Sequence, residues 1–435
     1  MSPLTLAVRG RADSLSERDR AVLFDRATSS DDAIRGRTAE IVAQVRRDGD
    51  AALHALAASL DGVRLVSLEV PRVEWDAALA ALDPALRRAM ERAIANITSV
   101  HAAFKPVATE ITTADGAVIT RRPDPLARVG VYAPGGRAAY PSSVLMGAVP
   151  ARVAGVSEVI LCSPPGPDGR PSAVVLAAAA LAGVDRVFSL GGAGAIAAMA
   201  YGTESVPAVD RIVGPGNAYV AEAKVQVSSR VAIDSPAGPS ELLVLADDSA
   251  DALVIARELL AQAEHDPAAA VVLVTTSAAL ATAVEAELAR SLDEAPRAAI
   301  IRASLAARGA ILVAATLDEA IAFSNAWAPE HLSLVVRSEV ETAALDRLRN
   351  AGTIFVGASA SVAYGDYMSG ANHVLPTGGA ARSYSGLSTL DFMRWTTSQR
   401  IPPATARSLA EDVGVFADAE GLPGHAAAAR QWGRA

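Results

Sequence analysis

One cysteine, Cys162, is present among 435 residues, so no intrachain disulfide can form. That composition fits a reducing compartment. Cys162 closes the apolar run VILC, which predicts a small buried residue rather than a nucleophile. Aromatic residues are only 4% of the chain, so its core must be filled mostly by aliphatic side chains. Basic residues are in deficit: 39 Lys and Arg face 48 Asp and Glu, for a formal charge of −9. Without a basic footprint, binding a phosphate backbone is excluded as the main task, and no nucleic-acid partner is expected. No uncharged apolar run reaches the roughly 18 residues that a membrane helix needs. The opening MSPLTLAVRGRADSLSERDR has no apolar segment of the kind found in signal peptides. The sequence therefore predicts a soluble, cytoplasmic protein with no membrane partner.

What is present has a clear rhythm. Residues 1–105 read as helical, with apolar residues at three- and four-residue spacing through DDAIRGRTAEIVAQVRRDGDAALHALAASLDG. Asp31 and Asp32 stand at a helix cap position, and Asp48-Gly49 and Asp61-Gly62 mark turns. Residues 108–122 predict a β-hairpin turning at Asp115-Gly116. From about 127 onward, short β-branched runs (RVGVYA, EVILCS, RVFSL, RIVG) alternate with Ala-rich segments. The alternation resumes after 240 with SELLVLAD, AVVLVTT, GAILVAA, LSLVV and TIFVG. Such alternation predicts an α/β fold of two doubly wound, Rossmann-like parallel-sheet domains, with ligand sites at the carboxyl ends of the strands. The expected division is 1–126, a helical region and hairpin belonging to the first α/β domain; 127–240, the first α/β core; 241–380, the second; and 381–435, a helical C-terminal extension. The extension shows no strand signal after ARSYSGLSTLDFMRW. It is too small to bury a core alone, so it should pack on something, such as a partner subunit.

Histidine is also scarce, with six in the chain: His54, His101, His265, His331, His373 and His425. His54 and His101 fall in helical patterns with no ligand cluster nearby. The others keep company with acids or amides. Gln262 and His265 are three apart in AQAEHD and share a helix face. Asp366 and His373 share a glycine-containing loop, YGDYMSGANH, and Glu420 precedes His425 in EGLPGH. These N and O donors suit Zn²⁺ or Mn²⁺ in an open, substrate-accessible site. Glu330 and His331 are adjacent in APEHLSL, after a proline and before a strand. On a regular strand they would face opposite ways; a turn at Pro329 could aim both at one spot, where an acid and a base can serve two proton transfers. The competing reading is a salt bridge and a structural hydrogen bond. Four glycine-rich loops, at 132–143, 213–220, 235–241 and 375–388, favour a cleft that backbone can line closely. Gly192-Ala-Gly194 also fits a dinucleotide fingerprint, with Asp210 at the usual distance.

Six blocks in order together carry a family resemblance: RVGVYAPGGRAAYPSSVLMGAVPARVAGV, GGAGAIAAMAYGTESVPAVDRIVGPGNAYVAEAKVQV, DSPAGPSELLVLAD, AQAEHD, APEHLSL and YGDYMSGANHVLPTGGAARSYSGLSTLDF. They resemble histidinol dehydrogenases over roughly residues 30–430. The resemblance implies a two-step oxidation of L-histidinol to L-histidine through L-histidinaldehyde, with two NAD⁺, by a zinc-dependent homodimer whose C-terminal segment reaches into the partner's site. It implies that 127–240 is the NAD-binding domain and that 241–380 carries metal and catalytic residues. Gln262, His265, Asp366 and His425 match metal ligands, and Glu330 and His331 the catalytic pair. Ser240 and Glu420 match substrate contacts, which Gln262, His265, His331, Asp366 and His425 share. Tyr132 and Asn217 match NAD contacts. Two positions depart from the family. Gly194 stands where relatives carry a glutamine that contacts NAD, so the dinucleotide fingerprint arises from this one change and is rejected. Arg137 stands where relatives often have a smaller residue. Two further readings compete: a related zinc- and NAD-dependent dehydrogenase of another small polar alcohol, such as a sulfonated diol, and a non-catalytic binding protein.

Overall fold

The computed structural model describes residues 4–26, 32–135 and 139–434. Its strands are β1 (Val8–Arg11), β2 (Thr109–Thr112), β3 (Val118–Pro125), β4 (Arg128–Tyr132), β5 (Glu158–Ser163), β6 (Arg186–Ser189) and β7 (Arg211–Val213). They continue as β8 (Ala232–Ile233), β9 (Glu241–Ala246), β10 (Ala270–Thr275), β11 (Gly309–Val313), β12 (His331–Val335), β13 (Thr353–Val356) and β14 (Met393–Arg400). Three sheets form: β6-β5-β4-β7-β8, β1-β11-β10-β9-β12-β13 and β14-β3-β2. The first two are parallel throughout, as the α/β alternation predicts. Among the described residues no helix is long and apolar enough to cross a membrane.

The strands of the parallel sheets read as nearly unbroken apolar runs because helices cover both faces. In the first sheet, Val131, Leu161 and Val187 pack against Trp75, Met90, Ile97 and Met146. On the other face, Ile160, Cys162 and Phe188 meet Ile41, Val45 and Leu53 of helix Asp32–Leu56 and Ile196 and Met199 of helix Gly192–Tyr201. The N-terminal helices thus clothe the first sheet, as expected. Cys162 lies in that core, where burial pushes its thiol pKa up and leaves it inert. In the second sheet Leu242 and Val244 of β9 face helix Ala252–Ala263, while Leu243 and Leu245 face helix Leu317–Trp327.

Two strands escape the sequence reading. Residues 1–105 are not wholly helical, because β1 crosses the chain to pair with β11, Val8 against Ala310. As an edge strand it buries only Val8 and carries Arg9 and Arg11, so it has no apolar alternation to read. The extension is not wholly helical either. β14 pairs antiparallel with β3 over eight residues, from Met393↔Pro125 to Arg400↔Val118, joining the expected hairpin β2–β3. Its sequence MRWTTSQR is exposed on both faces, so pairing rather than a hydrophobic face defines it. Beyond it, helices Pro403–Ala419 and Pro423–Arg430 pack on each other, and Arg430 pairs with Glu411 and Asp418. This arm leaves Val413, Val415, Phe416, Leu422 and Trp432 exposed. Asp32 opens its helix, whereas Asp31 lies outside the described residues.

His101 ties the N-terminal helix Pro84–Ala103 to the chain's later part: its carbonyl accepts a 2.7 Å hydrogen bond from the Thr389 hydroxyl. Burial pushes its pKa from an ordinary 6.5 down to about 4. Between those values the unfolded chain binds the extra proton. The stabilisation is therefore whole above the unfolded pKa and lost as pH falls toward the folded one. We expect a loss on the order of 3 kcal/mol, at about 1.4 kcal/mol per pKa unit. Urea midpoints measured down through that window should fall in the wild type and fall much less in His101→Leu. Equal slopes would remove His101 as the cause.

Candidate active site

Glu330 and His331 converge because a strained turn precedes them. Helix Leu317–Trp327 ends at Ala328, held at φ 54 and ψ 69. It is the one positive-φ residue other than glycine among the described residues. Pro329 follows, and β12 begins only at His331, so Glu330 lies just outside the strand and escapes its alternation of faces. Glu330 Oε2 is 3.3 Å from His331 Nδ1, and both side chains are buried.

A single residue, Glu241, holds both through its two flanking peptides. The Glu241 N–H donates to Glu330 Oε2 at 2.7 Å, and the Glu241 carbonyl lies 2.9 Å from His331 Nδ1. A carbonyl can only accept, so Nδ1 carries the proton and Nε2 of the neutral ring bears a lone pair. That Nε2 has no hydrogen-bond partner among the described residues and lies 3.8 Å from Asp366 Oδ1. Burial favours the neutral imidazole, but the carboxylates of Glu330 and Asp366 outweigh it and carry the pKa up to about 9. Glu241 was not singled out in the sequence. Its signal was a carboxylate opening the otherwise apolar buried strand ELLVLA. Burial pushes its carboxyl up to about 6 against the pull of Arg26.

The pair sits at the amino end of β12, beside the amino end of β9. This corrects the expectation of carboxyl-end sites for the second sheet. The reason is the helix polarity: crossover helices run antiparallel to parallel strands, so the carboxyl end of helix Ala252–Ala263 arrives at the same edge. Gln262 is on its last turn and buried. His265 lies just past the helix end, in the turn closed by its N–H to the Gln262 carbonyl at 3.3 Å. Glu258 on the same helix accepts the Val362 N–H at 3.1 Å, docking helix Val362–Tyr367, which carries Asp366. The His373 ring approaches the Asp366 carbonyl through Nδ1 at 3.0 Å and so braces that helix. A cleft of about 360 Å³ adjoins this edge, lined by His265, Glu264, Tyr140, Ser142 and Tyr367 but not by Gln262, Glu330, His331 or Asp366.

Ser240 immediately precedes β9, so its hydroxyl is carried to the same edge. Glu420 and His425 are elsewhere: both are exposed, at the junction of the two arm helices. Among the described residues no three His, Cys, Asp or Glu side chains gather around a metal-sized space. One chain therefore offers Gln262, His265 and Asp366 and leaves His425 apart.

In the first sheet the expected cofactor residues do lie at carboxyl ends. Tyr132 ends β4, and its buried hydroxyl accepts the Gly192 N–H at 3.1 Å; burial pushes its pKa up to about 12. Asn217 caps helix Ala218–Val227, its side-chain oxygen accepting from Tyr219 and Val220. Gly194 is buried, and a Cβ there would come 3.0 Å from Leu56 Cδ1. The turn is thus apolar at that position. Asp210 lies at the amino end of the sheet, where it accepts the N–H groups of Ala127 and Arg128 at 3.0 Å, far from the glycine turn. The rejection of the fingerprint therefore stands. Arg137 lies outside the described residues.

The histidinol dehydrogenase family model matches residues 24–432. The histidinol dehydrogenase of Methanosarcina barkeri is 46% identical over 421 residues, 97% of this chain and 96% of the relative. That of Halobacterium salinarum is 48% identical over 409 residues, 94% of this chain and 95% of the relative. The crystal structure of histidinol dehydrogenase from Elizabethkingia anophelis has a TM-score of 0.93 at 33% identity, covering 100% of this chain and 99% of that one.

Proposed function

Since the chain belongs to the histidinol dehydrogenase family and is an oxidoreductase, we propose that it oxidises L-histidinol to L-histidine through L-histidinaldehyde, using zinc and NAD. The observation that carries this reading is the buried His331 ring, with Nδ1–H committed to a carbonyl and Nε2 free beside Asp366.

Gln262, His265 and Asp366 would hold the zinc, together with His425 of the partner subunit. The donor chemistry fits, because an imidazole nitrogen and amide and carboxylate oxygens suit this ion. The buried Gln262 side chain offers an amide oxygen to such a site. When bound, zinc would supply a Lewis-acidic anchor for the substrate and NAD a hydride acceptor. The exposed apolar surface of the arm supports a homodimer in which each arm completes the other copy's site.

In the first oxidation His331 Nε2, bare once the ring is neutral, would take the hydroxyl proton, and NAD, when bound, would accept the hydride of the carbinol carbon. In the second, water adds to the aldehyde carbon. Glu330 takes a proton from that water through Oε1, since Oε2 is tied to the Glu241 N–H. The hydride of that hydrate would go to a second NAD⁺, leaving the carboxylic acid. The two carriers differ in kind, a base of fixed tautomer and a carboxylate, which suits two different proton transfers in one cleft.

The test is purified protein with L-histidinol, NAD⁺ and Zn²⁺, followed by NADH absorbance. NADH should form, stop on chelation and resume when zinc is restored. NADH from a sulfonated diol but not from histidinol would move the activity to the other alcohol. No NADH from any alcohol would leave only binding.

A further inference from the structure

Glu241 is a buried acid that neither oxidation uses, yet it touches everything around the two groups that are used. Its N–H holds Glu330 and its carbonyl holds His331. Its side chain is held in turn. Oε2 pairs with Arg26 Nη1 at 2.5 Å, and Oε1 accepts the Gly378 N–H at 2.8 Å. Arg26 is buried as well. Its guanidinium stacks over the Trp327 ring at 3.7 Å and donates to the Trp327 carbonyl, while the Trp327 indole donates to the Leu23 carbonyl at 2.8 Å. Trp327 is the last residue of the helix that feeds the strained turn at Ala328. Arg26 therefore grips both approaches to the catalytic pair, the turn before Glu330 and the residue that opens β9.

We propose that Arg26 and Glu241 are positioning residues: their buried ion pair fixes the backbone of Glu241, whose carbonyl sets the tautomer of His331 and whose N–H sets the orientation of Glu330. This rests on the reading of His331 as the base.

The physical need is specific. Backbone hydrogen bonds in the parallel sheet hold β9 and β12 in register from Leu242 and His331 onward, His331 against Leu242. Glu241 lies at the end of that ladder, where fraying is cheapest, and Pro239 two residues before it has no N–H to offer. A rotation of the peptide that follows Glu241 would remove the acceptor from Nδ1. The ring would then be free to place its proton on Nε2, where it cannot act as a base. A buried ion pair is a costly device for stability alone, because apolar residues of the same volume serve at least as well. Here the planar, forked guanidinium does what an apolar residue cannot: it bonds a carboxylate and a carbonyl at once and stacks on an indole.

The test reads the tautomer directly and does not depend on turnover. In protein labelled with ¹⁵N-histidine, the His331 ring is assigned by its absence from His331→Asn. Recorded above pH 9, where the ring is neutral, the wild type should show Nδ1–H and a bare Nε2. Arg26→Met should show a mixture of the two tautomers, with kcat for histidinol lowered about 100-fold and KM changed less than about threefold. Arg26→Lys, which keeps the charge, should recover part of both. If Arg26→Met does not fold, Glu241→Gln, which keeps an acceptor for Gly378, is to show the same two changes. An unchanged nitrogen signal in the folded variant overturns the proposal whether or not activity falls. A shifted signal with full kcat overturns it too. Failure of histidinol as a substrate would leave the nitrogen result standing and strike the functional reading instead.

Discussion

His331→Asn should lose about three orders of magnitude in kcat while binding as much zinc per subunit as the wild type. Asparagine keeps a donor for the Glu241 carbonyl but has no basic nitrogen at the position of Nε2. The proposed division of labour keeps Nε2, 3.8 Å from Asp366, for the substrate's proton, while the other nitrogen is engaged by the backbone. Metal analysis and steady-state kinetics on the same preparation provide the check. Loss of zinc in step with activity would mean that His331 is a ligand and that the division between metal holders and proton carriers is wrong.

The second large effect concerns the arm. His331→Asn and His425→Ala should each be nearly inactive alone, but subunits unfolded together and refolded as a mixture should regain activity on the order of one quarter of the wild type. A random mixture of a dimer contains half heterodimers, and each has one site with both residues intact. The expectation follows from the exposure of His425 and Glu420 on helices that pack on each other, away from Gln262 and Asp366. An arm that folded back onto its own chain would give no recovery at any ratio.

How much of this the sequence disclosed follows the physics of each element. Strands such as ELLVLA and EVILCS were legible because burial on both faces leaves a continuous apolar run. β1 and β14 were not, because an edge strand and an exposed ribbon are defined by partners some 300 and 270 residues away, not by local pattern. Gln262 was legible on its helix, but His265 lies in the turn just past the helix end rather than on the shared face that the spacing implied. Asp366 is brought toward them by the docking of its helix on Glu258, which no local spacing encodes. The convergence of Glu330 and His331 was legible only as a possibility opened by Pro329; the residue that bends the chain is Ala328. Arg26 left no signal, since one arginine in a polar N-terminal stretch looks solvated until Trp327 and Glu241 enclose it. The orphan arm was legible because fifty residues without a core need a surface to lie on.

The central claim is that one buried pair, a base and a carboxylate 3.3 Å apart, carries out both oxidations without releasing the aldehyde between them. Counting NADH against histidine, with an aldehyde-trapping amine in solution, tests it most directly. The account predicts two NADH for each histidine formed and no trapped aldehyde; one NADH for each histidinol consumed, with the aldehyde recovered in the trap, would contradict it.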